Sequence, residues 1–192
     1  MAQRTSTNQP EKQGIQPMRR AIFPATFDPI HFGHCDIARR ASRLFDELII
    51  AVYDRPLKRL LFSAEERLEM TREALKDIPT LRFEIYSGLT VDYARQVGAQ
   101  VIVRGLRVFS DFELEFRMAL ANHRLAPEIE VVCLITGEQY THLSSSTVRE
   151  IASLGGDVSS MVPAHVEKAL LVRFEKMGDD APGAVDMVSL RD

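Results

Sequence analysis

Phe23-Pro-Ala-Thr-Phe-Asp-Pro-Ile-His-Phe-Gly-His34 follows a short apolar run, Arg20-Ala-Ile-Phe23, turns at proline and glycine, and delivers a histidine to the start of a helix pattern. Strand, turn and helix in that order form the opening unit of a sheet whose strands are joined by helices. The same stretch is suited to hold a phosphate. A glycine lets the backbone come close, amides at a helix start donate to anions, and an imidazole adds a hydrogen bond or a charge. Two further elements share this character: Arg104-Gly-Leu-Arg107 and Leu143-Ser-Ser-Ser-Thr147. Three anion-friendly elements on one chain of 192 residues point to a nucleotide enzyme.

The alternation continues outward from this unit. After His34, Ile37, Ala38, Ala41, Leu44 and Phe45 form one helical stripe. Glu47–Tyr53 reads as a buried strand. Ser63-Ala-Glu-Glu66 is a capping box opening a helix with Ala64, Leu68, Thr71, Leu75 and Ile78 on its apolar face. Leu81–Ile85 is a third strand, and Val91–Val97 a short helix capped by Gly98. Gln100–Val103 is a fourth strand, which leaves Arg104 in the loop beyond it. Ser110-Asp-Phe-Glu113 reads as a second capping box, for a helix reaching Leu125. Ile129–Ile135 is the fifth strand. Ser144 or Ser145 starts the next helix, which stops at Gly155-Gly156. A last helix follows Pro163, with Val166, Ala169, Leu170, Phe174 and Met177 facing inward. The expected fold is therefore α/β: a doubly wound, Rossmann-like, five-stranded parallel sheet covered on both faces, with ligands beyond the strand carboxyl ends. Residues 18–177 form the domain, 1–17 read as a disordered extension, and 178–192 as a flexible tail.

With 45% apolar residues the chain can build a core, and a formal net charge of −3 argues against a nucleic-acid binder that relies on bulk positive potential. Cys35 and Cys133 form no CxxC pair and read as ordinary small apolar residues of a reducing compartment. No apolar run approaches membrane-span length, and the first seventeen residues contain no signal-peptide core. Cytoplasmic residence, without membrane or nucleic-acid partners, is the expectation.

The chemistry these residues suit is phosphoryl or nucleotidyl transfer. A phosphate monoester has a second pKa of about 6 and is already mostly ionised at neutral pH. The protein then needs no general base. It must bring two anions together and stabilise the charge of the transition state. Arg, Lys, His, hydroxyls and amides do that; paired carboxylates do not. His34 can face a phosphate, Thr26 offers a hydroxyl and an amide, and Arg104 with Arg107 around Gly105 reads as an anion clamp. Lys58 lies in the basic stretch Arg55–Arg59. Ser144, Ser145 and Ser146 exceed what N-capping needs. Asp28-Pro29 reads as a turn and helix-entry device. His31 and His34 lack the further ligands of a zinc site.

In these residues the chain resembles the bacterial-type phosphopantetheine adenylyltransferases, within the nucleotidylyltransferase superfamily. The resemblance spans about Met18 to Met177. It rests on Pro24-Ala-Thr-Phe-Asp-Pro29, Gly33-His34, Arg104-Gly-Leu-Arg107, Asp111-Phe-Glu113, Glu115 and Ser144-Ser-Ser146, in the family's order and spacing. The resemblance implies reversible transfer of AMP from ATP to 4′-phosphopantetheine, giving dephospho-CoA and pyrophosphate in coenzyme A synthesis. It implies Mg²⁺ carried largely by ATP and a homohexamer. Thr26 would touch both the acceptor phosphate and ATP, and His34 would stabilise the transition state. Lys58, Thr90 and Arg104 would join Thr26 in binding phosphopantetheine. Phe27, His34, Gly105, Leu106, Arg107, Glu115, Tyr140, Thr141, His142, Leu143, Ser144, Ser145 and Ser146 would bind ATP. Ala25, His31, Thr90, Leu57 and Leu60 depart from the family's usual residues.

Three other readings stand beside it. The His-Phe-Gly-His form also fits nicotinate-mononucleotide adenylyltransferases, but the chain lacks the tryptophan such enzymes usually carry and has Arg104-Gly-Leu-Arg107, which favours the pantetheine branch. A cytidylyltransferase fits less well, for the same reason. A nucleotide-binding regulator without turnover would bind ATP but needs no second set of cations.

Overall fold

Side chains alternate between the two faces of a strand, and Arg20–Ala25 (β1) obeys this with both faces buried. Ala21 and Phe23 enter one core cluster while Ile22 enters the other. Glu47–Tyr53 (β2) repeats the division: Leu48, Ile50 and Val52 on one side, Ile49 and Ala51 on the other. The computed structural model describes residues 18–54 and 60–179. With Leu81–Tyr86 (β3), Val101–Leu106 (β4) and Glu130–Ile135 (β5), the strands form one parallel sheet in the order β3-β2-β1-β4-β5.

Helices cover the first face with Ile37, Ala38 and Ala41 of α1 (Phe32–Ala41), Met70 of α2 (Ala64–Ala74), Val148 and Ala152 of α5 (Ser145–Ser153), and Val166 and Leu170 of α6 (Ala164–Asp179). The second face is covered by Val91, Tyr93 and Ala94 of α3 (Thr90–Val97), and by Ala126 and Ile129 just after α4 (Phe109–Leu125). The doubly wound parallel sheet expected from the sequence is what forms. The strand order reverses between β1 and β4, which makes that junction the natural ligand crevice.

Local signals fix the helix ends. Ser63 accepts the Glu66 N–H at 3.2 Å, and Glu66 accepts the Ser63 N–H at 2.8 Å. Gly98 closes α3 at φ 69°, a left-handed conformation that glycine adopts without a Cβ penalty.

Several boundaries differ from the sequence reading. β4 runs on through Arg104, Gly105 and Leu106, which pair with Cys133, Leu134 and Ile135. Arg104 is thus a strand residue and not part of the following loop. β1 extends to Ala25, and α1 starts at Phe32, two residues before His34. Ser110 caps nothing: Val108 is the cap residue of α4, and the Asp111 carboxylate is held by Arg107. Leu44 falls beyond α1 and is exposed, as is Met177 near the end of α6. The sheet is not covered everywhere. Cys133 and Ile135 of β5 are exposed, so only Cys35 behaves as a buried apolar cysteine. Along α4 the exposed residues include Phe109, Phe112, Leu114, Phe116, Met118 and Leu120, and Glu115 is its one buried residue. α6 extends to Asp179, past the expected domain end at 177. Residues 1–17, Leu57 and Lys58, and 180–192 lie outside the described residues.

Leu75, at the end of α2, has no exposed surface and joins the first core cluster. Leu75→Ala removes buried methyl groups and leaves a cavity, so it is expected to cost about 2–5 kcal/mol. Urea unfolding followed by circular dichroism measures this; an unchanged midpoint would contradict the packing.

Candidate active site

β1 and β4 are paired only at Ala21↔Val101 and Ile22↔Ile102. Beyond these residues the ladder stops. Arg104 reaches across the opening, and its Nη1 donates to the Pro24 carbonyl at 2.7 Å. Its Nε and Nη2 grip both oxygens of Glu115 at 2.7 and 2.6 Å. Burial works against the Arg104 charge, but the Glu115 carboxylate outweighs it and raises the guanidinium pKa above the ordinary arginine value. Gly105 follows because a Cβ there would meet Ile37 of α1 at 3.2 Å.

The turn after β1 forms the floor of the crevice. Phe27 adopts φ 51°, a conformation a bulky residue takes only under constraint from its surroundings. Its ring is 1% exposed and packs edge-on against Phe23 and His34. The Asp28 carboxylate, also 1% exposed, accepts the N–H groups of Leu61 and Phe62 at 2.9 and 3.0 Å. Arg149 of α5 meets the same carboxylate at 3.2 Å and also donates to the Asp28 carbonyl. Asp28 therefore does far more than shape a turn: it joins the β1 turn, the segment entering α2, and α5.

His31 and His34 stack with ring centroids 3.7 Å apart. The His31 N–H donates to His34 Nδ1 at 3.3 Å, which leaves the proton of a neutral His34 ring on Nε2. His31 is 4% exposed and its Nδ1 has no hydrogen-bond partner among the described residues. Burial, with the Arg107 cation second, lowers its pKa to about 3. Gly33 lets the His31 ring lie close, since a Cβ there would sit 3.1 Å from it and press on the ring.

Arg107 closes the other side. It holds Asp111 through Nε and Nη2 at 2.9 and 3.0 Å, and its Nη1 donates to the Leu143 carbonyl at 2.6 Å. The short turn Glu138–Tyr140 brings Tyr140 beside Gly33 and Phe32. Ser144 caps α5, accepting the Thr147 N–H at 3.0 Å, and its hydroxyl also meets those of Ser146 and Thr147. The Ser145 hydroxyl donates to the Pro29 carbonyl at 2.8 Å, which draws the amide-bearing start of α5 against the β1 turn. The three elements singled out in the sequence thus converge on one crevice.

That crevice, at the point where the sheet order reverses, is the candidate site. The family model described as cytidylyltransferase-like matches residues 22–151. Phosphopantetheine adenylyltransferases of Herpetosiphon aurantiacus and Roseiflexus sp. are each 56% identical to the chain, over 158 and 153 residues. These matches cover 82% and 80% of the chain, and 96% of each relative. The chain belongs to the phosphopantetheine adenylyltransferase family. A solved structure from Vibrio parahaemolyticus, provisionally assigned as a nicotinate-nucleotide adenylyltransferase, superposes with a TM-score of 0.62. At 18% identity, over 80% of this chain and 99% of that one, it shares the fold.

The expected residues of a phosphopantetheine adenylyltransferase are not all presented alike. Phe27 and Leu143 bury their side chains and can offer only backbone to a ligand. Arg104 and Glu115, expected on separate substrates, hold each other. Thr141 donates its hydroxyl to the Glu138 carbonyl, and His142 is exposed. Thr90 meets the Tyr86 hydroxyl at 3.1 Å and lines a cleft of about 80 Å³ with Pro24, Arg104, Glu115, Met118 and Asn122. Lys58 lies outside the described residues. Sequence reasoning passed over Arg149 and Arg67. Arg67 was findable: it lies three residues after Ala64 and four before Thr71, on the apolar stripe of α2.

His31 gives a pH signature. Its folded pKa is depressed below the unfolded value near 6.5. Between those values the unfolded chain binds the extra proton, so the penalty is absent above the unfolded pKa and grows as pH falls toward 3. His31→Thr is expected to lose less stability than the parent from pH 7 to 5, by up to about 1.4 kcal/mol per pH unit. Urea midpoints at both pH values test this; equal losses would show that His31 is not buried neutral.

Proposed function

We propose that this protein transfers AMP from ATP to 4′-phosphopantetheine, reversibly, giving dephospho-CoA and pyrophosphate in coenzyme A synthesis. The observation that carries the reading is the convergence of the His34 imidazole, the β1 turn and the start of α5 on the crevice that Arg104 spans. An oxygen of the acceptor phosphate attacks the α-phosphorus of ATP. The bond from that phosphorus to the α–β bridging oxygen breaks in line, and pyrophosphate leaves with the electron pair. The acceptor is already an anion, so no protein group need remove a proton.

Each residue then acts by position. His34 donates from Nε2 to the phosphoryl oxygens as charge builds on them. Thr26, Thr90, Lys58 and Arg104 hold the acceptor. Arg104 does so by sharing its guanidinium with Glu115 or exchanging that carboxylate for phosphate. The backbone of Phe27, Gly105, Leu106 and Leu143, with Arg107, Glu115, Tyr140, Thr141, His142, Ser144, Ser145 and Ser146, surrounds ATP.

Mg²⁺ belongs to this reading as part of the MgATP substrate. The protein's donors do not suit a resident ion. Asp28, Asp111 and Glu115 each face an arginine, and among the described residues no three His, Cys, Asp or Glu side chains gather as a metal site. The working compartment is the cytoplasm; among the described residues no helix is long and apolar enough to cross a membrane.

Incubation with MgATP and either 4′-phosphopantetheine or nicotinate mononucleotide, with products identified by mass, tests the substrate. Dephospho-CoA is the expected product, and adenylylation of the mononucleotide alone would overturn the reading. His34→Ala is expected to lower pyrophosphate release by at least ~100-fold while ATP affinity is retained. Turnover near that of the parent would remove the role given to His34.

The active form is a homohexamer in this reading. Support comes from the exposed apolar surface of α4, where Phe112 and Phe116 stack with centroids 5.9 Å apart in the open. Contiguous apolar surface of this kind marks a protein contact. Phe116→Asp is expected to yield a smaller species by light scattering after gel filtration. An unchanged mass would place the contact elsewhere.

A further inference from the structure

Arg67 has no exposed surface. Its Nη1 donates to the Thr26 carbonyl at 2.5 Å and the Tyr53 carbonyl at 2.8 Å, and its Nε to the Phe62 carbonyl at 3.2 Å. One guanidinium thus ties together the turn after β1, the end of β2 and the segment entering α2. The arrangement is not optimised for stability. Burial lowers the Arg67 pKa, with Asp28 and Asp54 opposing it, and the buried Nη2 has no hydrogen-bond partner among the described residues. An apolar side chain of similar volume on this face of α2 would avoid both costs.

The carbonyl of Thr26 explains what the cation does. In a trans peptide the C=O and the following N–H point in opposite directions. The cis bond of this turn lies further on, between Asp28 and Pro29. Drawing the Thr26 carbonyl inward therefore turns the Phe27 N–H outward, toward the crevice shared by His34 and α5. Phe27 at φ 51° fits such an imposed orientation, and its N–H donates to no group among the described residues.

We infer that Arg67 is a positioning residue: by fixing the Thr26–Phe27 peptide plane from beneath, it aims the Phe27 amide at a phosphate oxygen of the bound nucleotide. The inference rests on the AMP-transfer reading and adds to it a residue that never touches substrate. Charge alone does not suffice, because the flat guanidinium reaches three carbonyls from two separated nitrogens, Nε and Nη1, where an ammonium is a single point.

Arg67→Lys and Arg67→Met are compared with Leu75→Ala, a core variant of the same helix segment remote from the turn. All are assayed at a temperature where circular dichroism shows them folded. Losing an aligned donor to a phosphate corresponds to a ~10- to 100-fold fall in kcat. That fall is expected in both Arg67 variants with KM for phosphopantetheine little changed, while Leu75→Ala keeps the parent kcat. Arg67 variants turning over as fast as Leu75→Ala would overturn the inference. A second readout does not need turnover. On adding MgATP, the Phe27 amide resonance of the parent is expected to shift, and that shift is expected to vanish in Arg67→Lys. A parent Phe27 amide indifferent to MgATP would equally overturn it, including where both Arg67 variants fail to fold. If the parent bound MgATP but made no dephospho-CoA, the activity reading would fall, and the amide response alone would decide the role of Arg67.

Discussion

The Asp28 carboxylate is the constraint on which the rest of the crevice depends. It is buried, and a buried carboxylate is tolerable only when its oxygens are satisfied. Two backbone amides and Arg149 satisfy them. Those partners come from the segment entering α2 and from α5, so one acidic group fixes the relative positions of three chain segments distant in sequence. Leaving either side of this arrangement unpaired would strand a charge in the interior, which is why the geometry is held firmly.

The crevice itself comes from sheet topology. β1 leaves β2 and β4 on its two sides, and its pairing with β4 stops after two residues. Each element beyond that point needs a new partner for its backbone groups. Arg104 supplies one by bonding Pro24, Ser145 another by bonding Pro29, and Arg107 a third by bonding Leu143. Side chains on opposite banks thus do the work that ladder hydrogen bonds do elsewhere in the sheet. A groove results whose walls are polar and whose foundations are apolar.

Much of this was legible in the chain. β2 is a continuous apolar run because both its faces are buried, and its ends were readable to the residue. Ser63 and Gly98 announced helix ends because caps act locally. The failures share a physical cause: a distant partner overrode a local preference. Arg104-Gly105-Leu106 has little strand character of its own, yet β5 beside it supplies the ladder. Ser110 resembles a cap, but Arg107 claims Asp111 and the helix begins earlier. Phosphate-friendly residue types identified the crevice; which of them spend their donors on each other could not be read from spacing. Arg67 and Arg149 drew no reading from the sequence, because the carbonyls and the carboxylate that hold them come from distant segments.

Among the described residues, each arginine lining the crevice carries its own counterion: Arg104 has Glu115, Arg107 has Asp111, and Arg149 has Asp28. Summed as charges, the three pairs cancel. These three pairs can therefore draw a polyanion only through oriented dipoles and exchangeable donors at close range, not through a broad positive field. Dissolved salt acts chiefly on long-range fields and hardly on contacts of a few ångströms. Phosphate contacts made through these paired arginines, on a chain of net negative formal charge, are accordingly only weakly dependent on ionic strength.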